Sequence, residues 1–439
     1  MVQMIRWRLP QAFAPSFVSV QNSQRSPLTR ERTGGSKMLS KPSGQRRCDL
    51  DWLRVLLILT VLVFHSLRLF DLEGWYVKSA TTHLSAQALV VFISRWLMPA
   101  VFLISGMATF YALGTRRAWR FVKDRALRLL VPLLVGLVTH IPLQEYLKQV
   151  SQNQYRGSFW QWYLTTFNGL DRFGGNFNWI GSHLWYLEML FVFSLVCLPL
   201  FLWLRNGTGQ RVLTWVGARF AAPGALYLPV LPIILLSATL DPDSNSLLAR
   251  DEFGGWNLPS HLIFFLSGFV FASSPAMQAS MRRIRWFSLV TALVSFFVGV
   301  ALVLALTGGE NAFGTPIYLV WSIASSLSCW AGSLAILGFG MQRLNVRTPV
   351  LEYGNEAVLP FYVLHQSILL VVAFYVLTWT IPDLAKWAII LVSTFTLIMV
   401  LYELLIRRIN LLRVLFGMKP LRPHREVQQV AAASSSHSS

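Results

Sequence analysis

The 439-residue sequence is short of charge, of acid and of cysteine. Asp, Glu, Lys and Arg together make up 13% of it, against 54% for the apolar types. At that ratio a water-soluble chain has too little polar surface to cover its apolar residues, so a soluble globular protein is excluded and a polytopic helical membrane protein is expected. Acid is scarcer than base: 19 Asp and Glu stand against 38 Lys and Arg, a net charge of +19. The basic residues lie between apolar runs instead of on one compact polar domain, which argues for the lipid bilayer and against nucleic acid as the partner. The three cysteines, Cys48, Cys197 and Cys329, form no C-x-x-C pair, so neither a disulfide framework nor a metal site follows from them. No P-loop, no Ser–His–Asp order and no metal-ligand spacing is present, and no bound cofactor or metal is expected. The first 45 residues contain no long apolar core, which argues against a cleavable signal peptide.

What the sequence has in quantity is apolar runs, with 17 Trp and 30 Phe to anchor them at the membrane interfaces. Ten runs are long enough, or nearly so, to cross ~30 Å of hydrocarbon at ~1.5 Å per residue. They cover 51–70, 89–113, 127–147, 183–204, 225–240, 257–275, 286–307, 315–340, 356–380 and 385–406. The fifth is the weakest, being short and holding Pro229 and Pro232. The expected fold is therefore all-α, with about ten transmembrane helices. Placing both termini in the cytoplasm puts 29 of the 38 Lys and Arg residues on that side, six of them in RRAWRFVKDRALR (116–128), as the positive-inside rule requires. The chain then divides into a basic, disordered cytoplasmic tail (1–45), a ten-span membrane domain (46–410) and a second cytoplasmic tail (411–439). Translation from Met38 would leave everything the first span needs. The longest outer loop (148–182) is rich in Trp, Tyr, Phe, Asn and Gly. Such side chains suit sugar stacking and hydroxyl recognition, and they equally suit an ordinary interfacial loop.

Within LDWLRVLLILTVLVFHS (50–66), Arg54 and His65 are eleven residues apart. That is almost three helical turns, so both face one side of the first span, ~16 Å apart along its axis. An ionisable group inside a membrane is a functional candidate unless it snorkels or packs against protein. Other polar groups fall at compatible depths: His140 and Glu145 in the third span, His183 and Glu188 with Trp185 in the fourth, and His365 in the ninth. A lone carboxylate such as Glu188 needs a partner, and orienting a histidine is one role open to it. Each of these also serves as helix–helix glue. Ser105–Gly106 and Ser267–Gly268 read as close-packing helix contacts.

The first span resembles the Arg-x10-His signature of the membrane acyltransferase 3 family. Further stretches are similar to that family's landmarks in order: WLMPAVFLISGMATFYAL (96–113), RALRLLVPLL (125–134), HLWYLEMLFVFSL (183–195), HLIFFLSGFVFA (261–272) and YVLHQSILL (362–370). The resemblance runs from about residue 46 to 406. It implies an O-acyltransferase of the cell inner membrane that moves an acyl group, succinyl or acetyl, from cytoplasmic acyl-CoA to a hydroxyl of an extracytoplasmic carbohydrate acceptor. On that reading His65 is the base or the covalent acyl carrier, with Arg54 and Glu188 as further catalytic residues. Arg125 and Arg128, at i and i+3, would hold the anionic CoA. His183, Trp185 and His365 would meet the substrate. The competing class is a secondary transporter, which predicts paired broken spans at corresponding places in two halves.

Overall fold

The computed structural model describes residues 47–169, 177, 182–242, 248, 253–307 and 313–421. The expected N-terminal tail lies outside the described residues, as do parts of the long outer loop and the chain beyond 421.

The described chain is all-α. Helices α1 (Cys48–Leu67), α2 (Leu84–Thr115), α11 (Pro275–Thr307), α12 (Pro316–Arg343), α13 (Pro349–Val376) and α14 (Asp383–Leu401) are long and apolar. So is a composite third segment of α3 (Ala118–Arg125), a π-helical turn (Ala126–Leu130) and α4 (Val131–Ser151). Together these give seven helices able to cross a membrane. Two further segments are broken. Beyond the short helix α5 (Phe159–Thr165), helices α6 (Trp185–Val196) and α7 (Leu198–Leu204) meet at 50°, where Pro199 stands in the first turn of α7. Helix α8 (Gly207–Arg219) meets the segment Gly224–Thr239, which ends in α9 (Val230–Thr239), at 113°. Counted as spans, these raise the number to nine. The remaining expected span is α10 (Leu258–Ser273), whose 16 residues rise ~24 Å, short of the hydrocarbon thickness. It is held inside the protein: Phe264, Phe265 and Phe269 are fully buried.

A pair of glycines sets the closest helix contact. A Cβ on Gly106 of α2 would lie 1.9 Å from the Phe265 carbonyl oxygen of α10, and one on Gly268 would lie 1.9 Å from that of Leu103. The two backbones touch reciprocally, which small residues alone permit. In α13 and α12 67% of the apolar stretch is buried, against 28% in α11 and α14. The first two are central, and the second two present Trp286, Phe287, Val294, Val392 and Leu397 outward as a lipid-facing surface. Helix α1 packs against α2, α12, α13 and α14, so both of its ionisable residues sit among other helices.

Ordered contacts continue past the expected boundary at 410. Helix α15 (Asn410–Leu415) packs on α4, and Arg413 is buried with an ion pair to Glu356 at 2.9 Å.

Candidate functional site

Because α1 is unbroken from Cys48 to Leu67, Arg54 and His65 lie at opposite ends of one rod. Each end carries its own cluster.

At the His65 end, residues 68–83 form a strap that leads into α2. Asp71 is fully buried and is gripped by Arg68 at 2.5 Å and Lys78 at 2.6 Å. Arg68 also pairs with Glu73, which accepts a hydrogen bond from Gln87 of α2. These bonds fix Trp75, whose ring stacks on His65 with centroids 5.6 Å apart and planes 13° from parallel. Beside it, burial and the Glu145 carboxylate push the Tyr76 phenol well above its usual range, so it remains a hydroxyl donor at any physiological pH.

Under the strap lies a cavity of about 600 Å³, walled by α1, α2, the approach to α6, residues 253–255 and α13. His65, His183, Trp185, Tyr362 and Gln366 line it, as do Arg68 and Arg95. A cavity that is mostly apolar with a few convergent polar groups is what a ligand site requires.

Three histidines converge here. His183 is buried, and both ring nitrogens are engaged: Nδ1 by Gln144 and Nε2 by the Val363 carbonyl, each at 3.2 Å. A carbonyl only accepts, so Nε2 carries the proton and Nδ1 accepts a hydrogen bond from the Gln144 amide N–H. Gln144 also donates to Ser367, and Gln366 donates to Gln144. The Tyr362 hydroxyl donates to the His183 carbonyl at 2.5 Å. His183 is thus locked in place. His365 lies 5.2 Å, centroid to centroid, from both His65 and His183. It is 1% exposed and sits behind the cavity wall instead of on it. Its Nδ1 donates to the Tyr362 carbonyl at 2.5 Å, while Nε2 is buried without a partner. His65 is half-buried; its Nδ1 is also buried without a partner, which leaves Nε2 as the nitrogen available to the cavity. A buried, unpaired polar atom costs about 1–3 kcal/mol, so two on adjacent rings call for a functional reason.

The other expected residues distribute as follows. Trp185 packs edge-on to Phe253 and tilts over His261, forming the cavity floor. Glu188, one turn further along α6, makes no hydrogen bond to a histidine, and its Oε2 is buried without a partner. The imidazole ring beside His65 is that of His365. His140 packs on Phe416, and Glu145 pairs with Lys148 at 3.6 Å.

At the opposite end of α1, Arg54 reaches Asp51 at 3.4 Å and Asn355 at 3.3 Å. Arg116, Arg125 and Arg128 are close enough to act on one another or on Arg54 through their charges. Arg125 donates to the Thr109 hydroxyl of α2 at 2.7 Å and lies over the Phe121 ring. Arg128 is exposed. The two do not share a simple i, i+3 face, because Arg128 falls in the π-helical turn, where the wider winding shifts its register. Together these guanidinium groups form a basic cluster suited to an anion.

Sequence reasoning missed Gln144, Gln366 and Tyr362, whose amide and hydroxyl groups resemble ordinary span residues. It also passed over Arg95, which donates to Ser325 at 2.8 Å and lies over the Trp321 ring. An arginine eleven residues into an apolar helix was a readable signal. Among the described residues no group of three His, Cys, Asp or Glu is placed to hold a metal ion.

The chain is 24% identical over 399 residues to glucans biosynthesis protein C of Escherichia coli O157:H7, covering 86% of this chain and 96% of that one. It is 23% identical over 400 residues to the protein of the same name from Salmonella heidelberg (strain SL476), covering 87% and 97%. No solved structure matches it. The model of the acyltransferase 3 family, described as an acyltransferase domain, matches residues 49–403, from the first turn of α1 to just beyond α14. The chain therefore belongs to the acyltransferase 3 family and is a multi-pass membrane O-acyltransferase.

Proposed function

We propose that this protein transfers a succinyl or acetyl group from acyl-CoA in the cytoplasm to a hydroxyl of a glycan, a periplasmic glucan in the first instance, on the outer side of the inner membrane. The observation that carries the reading is the placement of a basic cluster and a histidine-lined cavity at the two ends of one helix, with Arg54 in the first and His65 in the second. The names of the relatives, which speak of glucan biosynthesis, support the acceptor class.

In this reading Arg54, Arg125 and Arg128 hold the phosphates of CoA by charge-assisted hydrogen bonds. The thioester reaches the His65 end, and the sugar hydroxyl enters the cavity beside Trp75 and Trp185. His65 Nε2 takes the hydroxyl proton as the oxygen attacks the thioester carbonyl. The C–O bond forms, the C–S bond breaks, and the proton passes from His65 to the departing thiolate. The products are the glycan ester and free CoA thiol. The basic loops support a cytoplasmic Arg54 end under the positive-inside rule.

Mass spectrometry of periplasmic and envelope glycans, from cells with and without the protein and from cells carrying His65→Ala, tests this. Loss of a succinyl or acetyl increment in both the deletion and the mutant is the expected result. Glycans unchanged in every fraction would remove the glycan from the reading.

A further inference from the structure

We infer that His365 is the positioning residue for His65: its Nε2 accepts a hydrogen bond from the His65 Nδ1–H and so holds the His65 Nε2 lone pair toward the cavity. This inference rests on the reading of His65 as the base.

The Tyr362 carbonyl can only accept, so the proton of His365 resides on Nδ1. Nε2 of His365 is then a bare acceptor, buried and without a partner. The ring 5.2 Å away is His65, tilted by 35°, and its Nδ1 is likewise buried and without a partner. A neutral imidazole carries one N–H and one lone pair. With an acceptor next to it, Nδ1 is the stable place for the proton, and Nε2 is left as the lone pair.

The other neighbours cannot take this role. His183 has both nitrogens engaged, by Gln144 and by Val363. Trp75 covers the His65 face and offers a ring, not a lone pair. Glu188 makes no hydrogen bond to the pair. The two bare nitrogens are not yet within bonding distance of each other in this state. Catalytic hydrogen bonds are commonly long before substrate arrives and tighten in the complex. Rotation of the half-buried His65 ring is the movement the inference requires to bring them together. The arrangement differs from a carboxylate-backed histidine in that the orienting partner is neutral.

The test uses full-length protein in lipid, with 15N-labelled histidine and His65→Ala to assign the His65 signals. The expected spectrum shows His65 protonated on Nδ1 and bare on Nε2. His365→Phe removes the acceptor while keeping a ring; it should mix the His65 tautomers and lower kcat by about 100-fold with little change in KM. His365→Gln restores an acceptor oxygen near the place of Nε2, and should recover the Nδ1–H tautomer and most of kcat. A His65 protonated on Nε2 in the native protein would overturn the inference, as would Phe and Gln variants with equal tautomers and equal kcat. If the Phe variant does not fold, the native spectrum and the Gln variant decide. Acyl transfer that survives His65→Ala would sink the catalytic reading of His65 and leave the tautomer result standing, so the two failures are distinguishable.

Discussion

In the proposed mechanism His65 is the base, and its surroundings, with Nδ1 buried and the ring stacked on Trp75, leave Nε2 open to the cavity. General-base catalysis contributes on the order of 10²–10⁴ in rate, so His65→Ala should lower acyl transfer by at least about 100-fold. Its insertion and thermal unfolding should match the parent; a folded mutant with normal turnover would contradict the assignment. In the same proposal Arg125 and Arg128 hold the donor. Replacing both by Ala removes charge-assisted bonds worth roughly 1.5–3 kcal/mol each, so acyl-CoA affinity measured by calorimetry should weaken by at least about tenfold. Unchanged affinity would reduce the pair to topology signals. Spacing alone made Arg54 and His65 readable, because eleven residues in a helix fix a shared face and an axial distance. The role proposed for His365 was not readable, and the sequence pointed instead to a substrate contact. Its position in the ninth span was plain, but which nitrogen the Tyr362 carbonyl takes, and which ring faces the other, depends on tertiary packing.

The helices and the strap each impose a constraint that can be tested without substrate. Gly106 and Gly268 bring the α2 and α10 backbones into contact. Gly106→Val should therefore destabilise by about 1–3 kcal/mol or more, since backbone instead of a side chain must move. An unchanged melting temperature in detergent would rule out the close contact. The strap answers to acid. Burial opposes ionisation of Glu73, yet hydrogen bonds from Gln87 and Arg68 outweigh it and hold the carboxyl below its usual range. Such a group lends stability that is fully present above its unfolded-chain value and is lost as the pH falls through the folded one. Hydrogen exchange of residues 68–83 should be flat between pH 6 and 8, after correction for intrinsic rates, and should accelerate below about pH 4. A flat profile down to pH 3 would show that Glu73 does not hold the strap. Gly106 and Gly268 were visible in the sequence as two Ser-Gly steps. The π-helical turn was not, because nothing in RALRLL distinguishes it from a regular helix.

The whole chain explains why apolar runs predicted the helices well and the number of spans less closely. All ten runs coincide with helical segments, but two are bent and α10 is short. Hydropathy reports burial, whether in lipid or in protein, and Phe264, Phe265 and Phe269 are buried in protein. The two bent segments follow one another directly along the chain. A transporter built from repeats would place them at corresponding points of two halves, so this arrangement lends that class no support. What the molecule does provide is a basic cluster and a histidine-lined cavity at two levels of α1, ~16 Å apart from Arg54 to His65. The separation makes a prediction about sides. The decisive measurement is acyl transfer by the purified protein in sealed vesicles of known sidedness, with labelled acyl-CoA on one face and glucan on the other. The account predicts product when acyl-CoA is on the Arg54 face and glucan on the His65 face, and none in the reverse arrangement or with His65→Ala. Equal product in both arrangements would contradict it.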